Sequence, residues 1–500
     1  MTESIESRQE QNKSLYNRVV QGGVWIFALR LSGEILSLLR ILVLARLLAP
    51  NDFGLMGITL LIAAILGKVL DTGFEAAIIQ KKGEETEKYL NIAWTIQICR
   101  GILIALLLYT TAPLAAIFFN EPQVENILKV FSLTQFLSGF NNIGLIFLEK
   151  ELLFKKEFKF RFIPKLIECA LVIALALIYR SIWVLVLGSI IRAGFILWFS
   201  YLVQPYRPGL EFNLQKCREL FNFSKWVVGE GFVNFLLIQG DDFLVGKLLG
   251  AKAVGLYQMG YRLSNLPATE ITHLITRVTF AAFSKMQDEK QRLKESYLRV
   301  LGMAALLSLP VAGLIFGLAA DFTLVVLGDK WGSIIPVVQI LALWGAFRAL
   351  DACVQPLCRA VGKPKIVFQL QFCKLILVAI LIYPLTKKYG IVGTSWVITG
   401  SAIAISPILH FLVSRILDCS LVKLIKTIFL PLLAAICLNL SLWVVNSFLL
   451  LAPSLWLLVG KAVIAVLVYM AVIVVLDKLF KGDNCLVVKQ LYASLIKRKN

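Results

Sequence analysis

Arg40 to Gly57 reads RILVLARLLAPNDFGLMG, and Asp241 to Gln258 reads DDFLVGKLLGAKAVGLYQ. Displaced by 201 positions, the first lies on the second without a gap. Arg46 meets Lys247, Leu47-Leu48 meets Leu248-Leu249, Gly54-Leu55 meets Gly255-Leu256 and, upstream, Trp25 meets Trp226. The glycine and basic positions match as well as the leucines, so the match is more than a by-product of Leu-rich composition. In a membrane chain such a repeat points to two homologous helix bundles facing each other, with the working site between them.

The rest of the chain agrees with that setting. Of 500 residues 58% are hydrophobic and 16% charged, and the mean hydropathy is +0.79. This is too apolar for a soluble globular protein. Apolar stretches of helix-spanning length recur at 19–48, 54–80, 90–119, 124–149, 161–179, 181–203, 222–249, 254–283, 296–318, 333–360, 365–386, 389–416, 421–447 and 454–478. The expected fold class is an all-α polytopic membrane protein of about 14 transmembrane helices. They form two pseudo-symmetric six-helix lobes, residues 1–203 and 222–418, joined by a cytoplasmic linker at 204–221. Two further helices follow at 419–480, then a basic tail at 481–500. The last two helices have no counterpart in the repeat and read as a peripheral addition almost free of buried charge.

The net charge of +20 follows from Lys and Arg gathering in cytoplasmic loops. One set of loops is rich in them: Lys81-Lys82, Lys150 to Lys165, Arg207 to Lys225, Lys285 to Lys294, Lys363-Lys365, Lys423-Lys426 and Lys497 to Lys499. The alternate set is poor, with Lys387-Lys388 as the exception. Both termini are therefore expected in the cytoplasm, in a multi-pass protein of the cell membrane, and no cleaved signal peptide is read at the N-terminus. No nucleic-acid motif occurs, and two His cannot build a zinc finger. The nine Cys are scattered through apolar segments, without disulfide or metal spacing. Walker-type, GxSxG, HExxH and Rossmann signatures are missing, so neither an enzyme nor a resident ATPase is expected.

Charge inside apolar helices costs a few kcal/mol each on insertion scales, about 2.5–3.5 at the bilayer centre, and such residues commonly face an interior. Arg30 and Glu34 share one face of the first helix; Lys68, Asp71, Thr72 and Glu75 form a stripe on the second. Arg100 and Arg192 sit within the third and sixth. In the second half, Glu230, Asn234 and Asp241 share a face, as do Arg262, Thr269, His273 and Arg277, and then Arg348, Asp351, Gln355 and Arg359. Lys374 and His410 are isolated. Plainer readings stand beside this one: internal ion pairs (Arg30 with Glu34, Arg348 with Asp351), snorkelling near helix ends (Lys68, Asp71, Glu75, Arg46, Lys247, Arg359), or a merely satisfied polar side chain (His273).

Several segments resemble the polysaccharide transporter family, which includes the O-antigen, teichuronic acid and exopolysaccharide flippases of the multidrug/oligosaccharidyl-lipid/polysaccharide exporter superfamily. They are LARLLAPNDFGLMG, DTGFEAAIIQKK (Asp71 to Lys82), DDFLVGKLLGAKAVGLYQMGYRLSNLP (Asp241 to Pro267), FAAFSKMQDEKQRLKESY (Phe280 to Tyr297), LGDKW (Leu327 to Trp331) and RAVGKPK (Arg359 to Lys365). The resemblance covers roughly 15–420. It implies two six-helix lobes in a V, and translocation of undecaprenyl-diphosphate-linked glycan between leaflets by alternating access. The family supplies no fixed site motif, so the site residues come from the charge pattern. Arg30, Arg100, Arg262, Arg277 and Arg348 are expected to hold the phosphates and glycan. Glu34, Asp71, Asp241 and Asp351 are expected to bind a coupling H+ or Na+. No cofactor or metal is expected. The partners would be the lipid-linked glycan, the bilayer and a polysaccharide polymerase or export complex, with the protein itself a monomer.

A multidrug exporter of organic cations is the nearest rival, but its site would favour acidic and aromatic residues over Arg. A membrane glycan polymerase or glycosyltransferase would need a larger outer loop than the dozen or so residues here. A non-transporting scaffold would have no use for the charge stripes.

Overall fold

The computed structural model describes residues 25, 28–71, 87–151, 153–213, 235–236, 238–448 and 454–480, and for some residues inside helices, His273 and Arg277 among them, the backbone alone. The described residues are helical almost throughout and contain no β-strand. The chain divides into two units, Met1–Gly255 and Leu256–Asn500.

In the first unit, α1 covers 28–47 and α2 covers Pro50–Val69. Pro50 opens α2, where a missing N–H is harmless, and the Asp52 carboxylate accepts the Ala49 N–H at 2.9 Å. Helix α3, Glu87–Phe119, is followed by α4, Gln123–Gly139. The two are joined by Asn120, whose φ of 54° is a left-handed helix stop, then Glu121 and Pro122. Helices α5, Phe154–Tyr179, and α6, Trp183–Val203, form the next pair. A Cβ on Gly188 would lie 2.2 Å from Val172 Cγ2, so α6 can approach α5 this closely only through glycine. Leu44, Leu48, Val172, Ala176 and Val184 are all nearly inaccessible and lock α1 onto α5 and α6. Helix α7, 238–249, ends at Gly250, φ 81°, and α8, Ala251–Lys285, begins there.

The second unit holds the remainder of α8 and then α9, Lys290–Phe322. The LGDKW segment follows. Gly328 takes φ 98°, and Trp331 is wholly buried. Helix α10 is Ile335–Asp351, and a short helix Val354–Ala360 continues it. That helix is closed by the RAVGKPK turn. Gly362 takes φ 69°, the Lys363 N–H donates to the Cys358 carbonyl at 2.8 Å, and Pro364 opens the next helix. Pro364–Ile416 is helical except at Gly390, with φ 62° and ψ −146°, a conformation open essentially to glycine alone. It is therefore two helices, α11 before Gly390 and α12 after it. Across the turn Thr386 and Thr394 join hydroxyls at 2.9 Å, and Lys387 and Lys388 lie over the rings of Tyr383 and Tyr389.

Helices α13, Leu421–Phe448, and α14, Leu455–Phe480, complete the unit. Here the expectation of a peripheral addition almost free of buried charge is corrected. Ala434, Leu438, Leu442, Ala465, Tyr469 and Ile473 belong to the same buried cluster as Leu301, Ala305 and Leu309 of α9. Lys461 is 5% exposed and pairs with Asp321 of α9 at 2.7 Å. A lone cation in the middle of an apolar helix looks incidental in sequence, but its partner lies 140 residues away.

Nine helices among the described residues are long and apolar enough to cross a membrane, counting Pro364–Ile416 as one. Helices α4 and α7 fall short in length, and α1 and α8 carry the charged stripes. The polytopic all-α class stands.

Candidate functional site

In the first unit, α1, α5 and α6 line a half-open cavity of about 350 Å3. Arg30, Gly33 and Glu34 line it from α1, Arg161 and Lys165 from α5, and Arg192 from α6. The spacing explains the convergence: Arg30 and Glu34 are one turn apart, and Glu157, Arg161, Lys165 and Glu168 repeat at three- and four-residue steps along α5. Gly33 leaves the room that Lys165 fills, since a Cβ there would come within 3.3 Å of Lys165 Nζ.

The wall behind the cavity is an ionic triad. Glu168 is 5% exposed. One of its oxygens takes a short contact from Arg40 of α1, and the other lies 3.3 Å from Arg192. Arg161 is held by Glu157 at 2.8 Å. With these partners included, five cations (Arg30, Arg40, Arg161, Lys165, Arg192) face three carboxylates (Glu34, Glu157, Glu168), an excess of two positive charges. Such a cavity suits a dianion with oxygens on several sides.

In the second unit the charges form a different assembly. Arg348 of α10 donates to Asn265 Oδ1 at 2.9 Å and Thr269 Oγ1 at 3.3 Å, both on α8, and lies over the Trp344 ring. Arg262, partly buried, stands one turn before Asn265 on the same face of α8. Asp351, at the end of α10, accepts the Ser406 hydroxyl at 2.5 Å. It also lies 3.2 Å from Nε2 of His410. The other ring nitrogen of His410 is 2.8 Å from the hydroxyl of Tyr297, itself wholly buried.

The expected site residues thus separate. Arg30 and Glu34 line one cavity, while Arg348 and Asp351 belong to one cluster with Arg262 nearby. Arg100 donates to the Gly67 carbonyl at 2.8 Å and ties α3 to the last turn of α2. Asp71 pairs with Lys68 at 3.0 Å at the end of α2. Asp241 is buried on α7 and accepts the Asp242 N–H at 3.0 Å. Thr72, Glu75, Glu230, Asn234 and the side chains of His273 and Arg277 lie outside the described residues. Sequence reasoning did not single out Glu168, Tyr297 or Ser406, and it took Arg161 and Lys165 for orientation signals of a cytoplasmic loop. The i, i+4, i+8, i+11 stripe on α5 was the available signal. Among the described residues no group of His, Cys, Asp and Glu is disposed to hold a metal ion.

Residues 43–336 match the model of a family described as polysaccharide biosynthesis protein. The chain belongs to that family. It is 26% identical to lipopolysaccharide biosynthesis protein WzxC of Escherichia coli K12, over 72% of this chain and 74% of that one. It is 23% identical to teichuronic acid biosynthesis protein TuaB of Bacillus subtilis 168, over 82% and 84%. Among solved structures it is similar to lipid II flippase MurJ in an inward closed conformation, with a TM-score of 0.70 at 15% identity, covering 93% of this chain and all of that one. An inward-facing multidrug resistance MATE transporter gives a TM-score of 0.58 at 14% identity, over 77% and 94%. The fold is that of these membrane transporters.

Proposed function

We propose that the chain moves an undecaprenyl-diphosphate-linked oligosaccharide from the cytoplasmic to the outer leaflet of the cytoplasmic membrane by alternating access, making and breaking no bond. The observation that carries this reading is the cationic cavity between α1, α5 and α6. A diphosphate cannot enter hydrocarbon unaided, because an unpaired buried charge is prohibitive. Guanidinium groups replace its water by charge-assisted, often bidentate hydrogen bonds. The excess of two cations leaves the cavity short of negative charge by about what a diphosphate brings.

Membership of a polysaccharide biosynthesis family supports the glycan as cargo, and the likeness to flippase and transporter folds supports translocation over synthesis. A site for organic cations would reverse the charge balance; here four cations and one carboxylate line the hollow. Arg262 and Arg348 of the second unit would provide a second set of contacts for phosphate or glycan. Glu34, Asp71, Asp241 and Asp351 are the proposed ion-coupling groups. Both termini lie in the cytoplasm in this reading, the protein acts as a monomer, and the polymerase or export machinery receives its product.

The test is the lipid-linked intermediate. Deleting the protein should make it accumulate on the cytoplasmic leaflet. Arg30→Ala and Arg192→Ala should each reduce export about tenfold or more, the loss of one charge-assisted contact, at normal membrane abundance. Unchanged export in both variants would overturn the phosphate-cavity reading.

A further inference from the structure

We infer that the aromatic row Phe160, Phe199, Phe195 and Trp198 carries the hydrocarbon tail of the lipid-linked substrate from the cavity out to the bilayer, while the diphosphate stays among the arginines. This rests on the phosphate reading of the cavity and adds to it the path of the tail and the direction in which the substrate lies.

The cavity cannot hold the whole molecule. Its volume of about 350 Å3 is at the small end of ligand pockets, enough for a head group but not for a polyisoprenoid chain. A tail left in water beside it would be strongly unfavourable. A site that keeps the head therefore needs an apolar way out at the level of the membrane.

Two aromatic rows start at the wall, because Phe160 and Phe162 both line it. Phe162 stacks on Phe158 with ring centroids 5.2 Å apart, and Phe158 meets Trp25 at 5.3 Å. This row runs back to the first turns of α5, among exposed Lys155, Lys156 and Lys159, whose charges belong in water. The other row crosses to α6. Phe160 stacks on Phe199 at 5.9 Å, the ring planes 12° apart. Phe199 lies 5.9 Å from Phe195 and 6.4 Å from Trp198, and those two are 5.3 Å from each other.

Helical spacing shows where this second row ends. Arg192 and Ile196 of α6 line the cavity. Going round the helix from them, Phe199 comes next, then Phe195, then Ile191, Trp198 and Leu202, all related by three- and four-residue steps. Leu187, Ile191, Trp198 and Leu202 are exposed, Trp198 by 58%, and form one uncharged stripe on a membrane-spanning helix. That stripe faces lipid. Phe199 and Phe195 thus make a continuous apolar wall between a cationic hollow and hydrocarbon. Arg192, its side chain 44% exposed, stands at the border.

The order of these groups matches the order of parts in the substrate. An excess of cations meets the dianionic head, and uncharged rings come next. Ring faces pack against a branched, unsaturated chain by dispersion. Moving from lipid to protein brings a tail no hydrophobic gain, so packing must supply the preference. Rigid rings suit that task, because they give up little freedom when a chain lies on them. Phe195 and Trp198 make their ring contacts within α6 rather than across to α5, so they can be changed without parting the two helices.

The test uses the full protein in lipid nanodiscs and two photoreactive probes. One is a polyprenyl diphosphate with a diazirine near its head; the other is a phosphatidylcholine with a diazirine in its acyl chain. The polyprenyl probe should label α6 around Phe195 to Leu202 in excess over the phosphatidylcholine probe, and inorganic diphosphate should compete for that excess through the cavity. Phe195→Ala and Trp198→Ala should each lose it, and Trp198→Phe should keep it. Polyprenyl label spread over the exposed apolar residues of α3, α13 and α14 as evenly as phosphatidylcholine label, or gathered anywhere but α6, overturns the proposal. So does α6 labelling that survives both alanine variants. The arginines separate the two readings. If Arg30→Ala and Arg192→Ala leave the α6 excess intact while the aromatic variants abolish it, the tail path stands and the phosphate cavity falls. If the arginine variants stop export but no α6 excess is ever seen, the cavity stands and the tail path falls.

Discussion

Gly54 and Gly255, which the internal repeat places on one another in sequence, are in backbone contact in space. A Cβ on Gly54 would lie 1.6 Å from the Ala251 carbonyl oxygen, and one on Gly255 would lie 2.0 Å from that of Pro50. No rotamer relieves such a clash, since the obstructing atoms are main chain. Gly54→Ala and Gly255→Ala should each lower stability by about 1–3 kcal/mol or more, the usual cost of overpacking. Thermal unfolding in detergent would measure it. Gly194→Ala and Gly400→Ala, where nothing stands within 4 Å, should be neutral or stabilising by up to about 1 kcal/mol.

Glu168 is the anchor of the first unit's cavity wall. Its loss would leave Arg40 and Arg192 without their shared carboxylate, yet both guanidiniums are partly exposed, 29% and 44%, so water can reach them. Glu168→Gln should therefore cost about 1.5–3 kcal/mol, typical of hydrogen bonds to a charged group, rather than the larger penalty of stranding a buried ion. It should also weaken glycan export by freeing Arg192 from its fixed place. Stability and export, measured on one variant, would separate the two effects.

The pair between Lys461 and Asp321 predicts a double-mutant cycle. Lys461→Met strands a carboxylate that is only 19% exposed and should destabilise by about 3 kcal/mol. Adding Asp321→Leu should restore most of that loss, because two apolar side chains tolerate this interior. Additive effects would show that the two groups do not interact.

Outside the membrane, Asp418 between α12 and α13 accepts a hydrogen bond from Lys290, and that bond, then the ammonium's charge, holds its carboxyl below the usual range. A depressed folded-state pKa stabilises the fold above the unfolded pKa, and the benefit is lost as pH falls through the folded value. Stability should thus decline on the acid side, and Asp418→Asn should flatten that limb by lowering stability at neutral and alkaline pH, the two proteins converging at low pH. A pH series of melting temperatures for both proteins is the measurement.

The fold class was legible because it depends on quantities the sequence displays directly: apolar run length, the repeat, and glycines at turns such as Gly328 and Gly362. Part of the site was legible for the same reason. Arg30 with Glu34 needs only helical spacing to be seen as one face. Pairings across helices were not. Glu168 looks like one more charge in a basic segment until Arg40, 128 residues earlier, is beside it. Lys461 and Asp321 are each unremarkable alone. Arg100 is a charge in an apolar helix with no visible partner in sequence, and the Gly67 carbonyl that it bonds is a backbone group that no residue letter advertises.

The turn at Gly390 has a practical side. Two helices of about 25 residues, each some 38 Å long at helical rise, reverse direction there through a single residue, leaving almost no connector. Proteases, antibodies and inserted epitopes all need slack chain to bind, and this end of α11 and α12 offers none. Tags for mapping sidedness belong elsewhere.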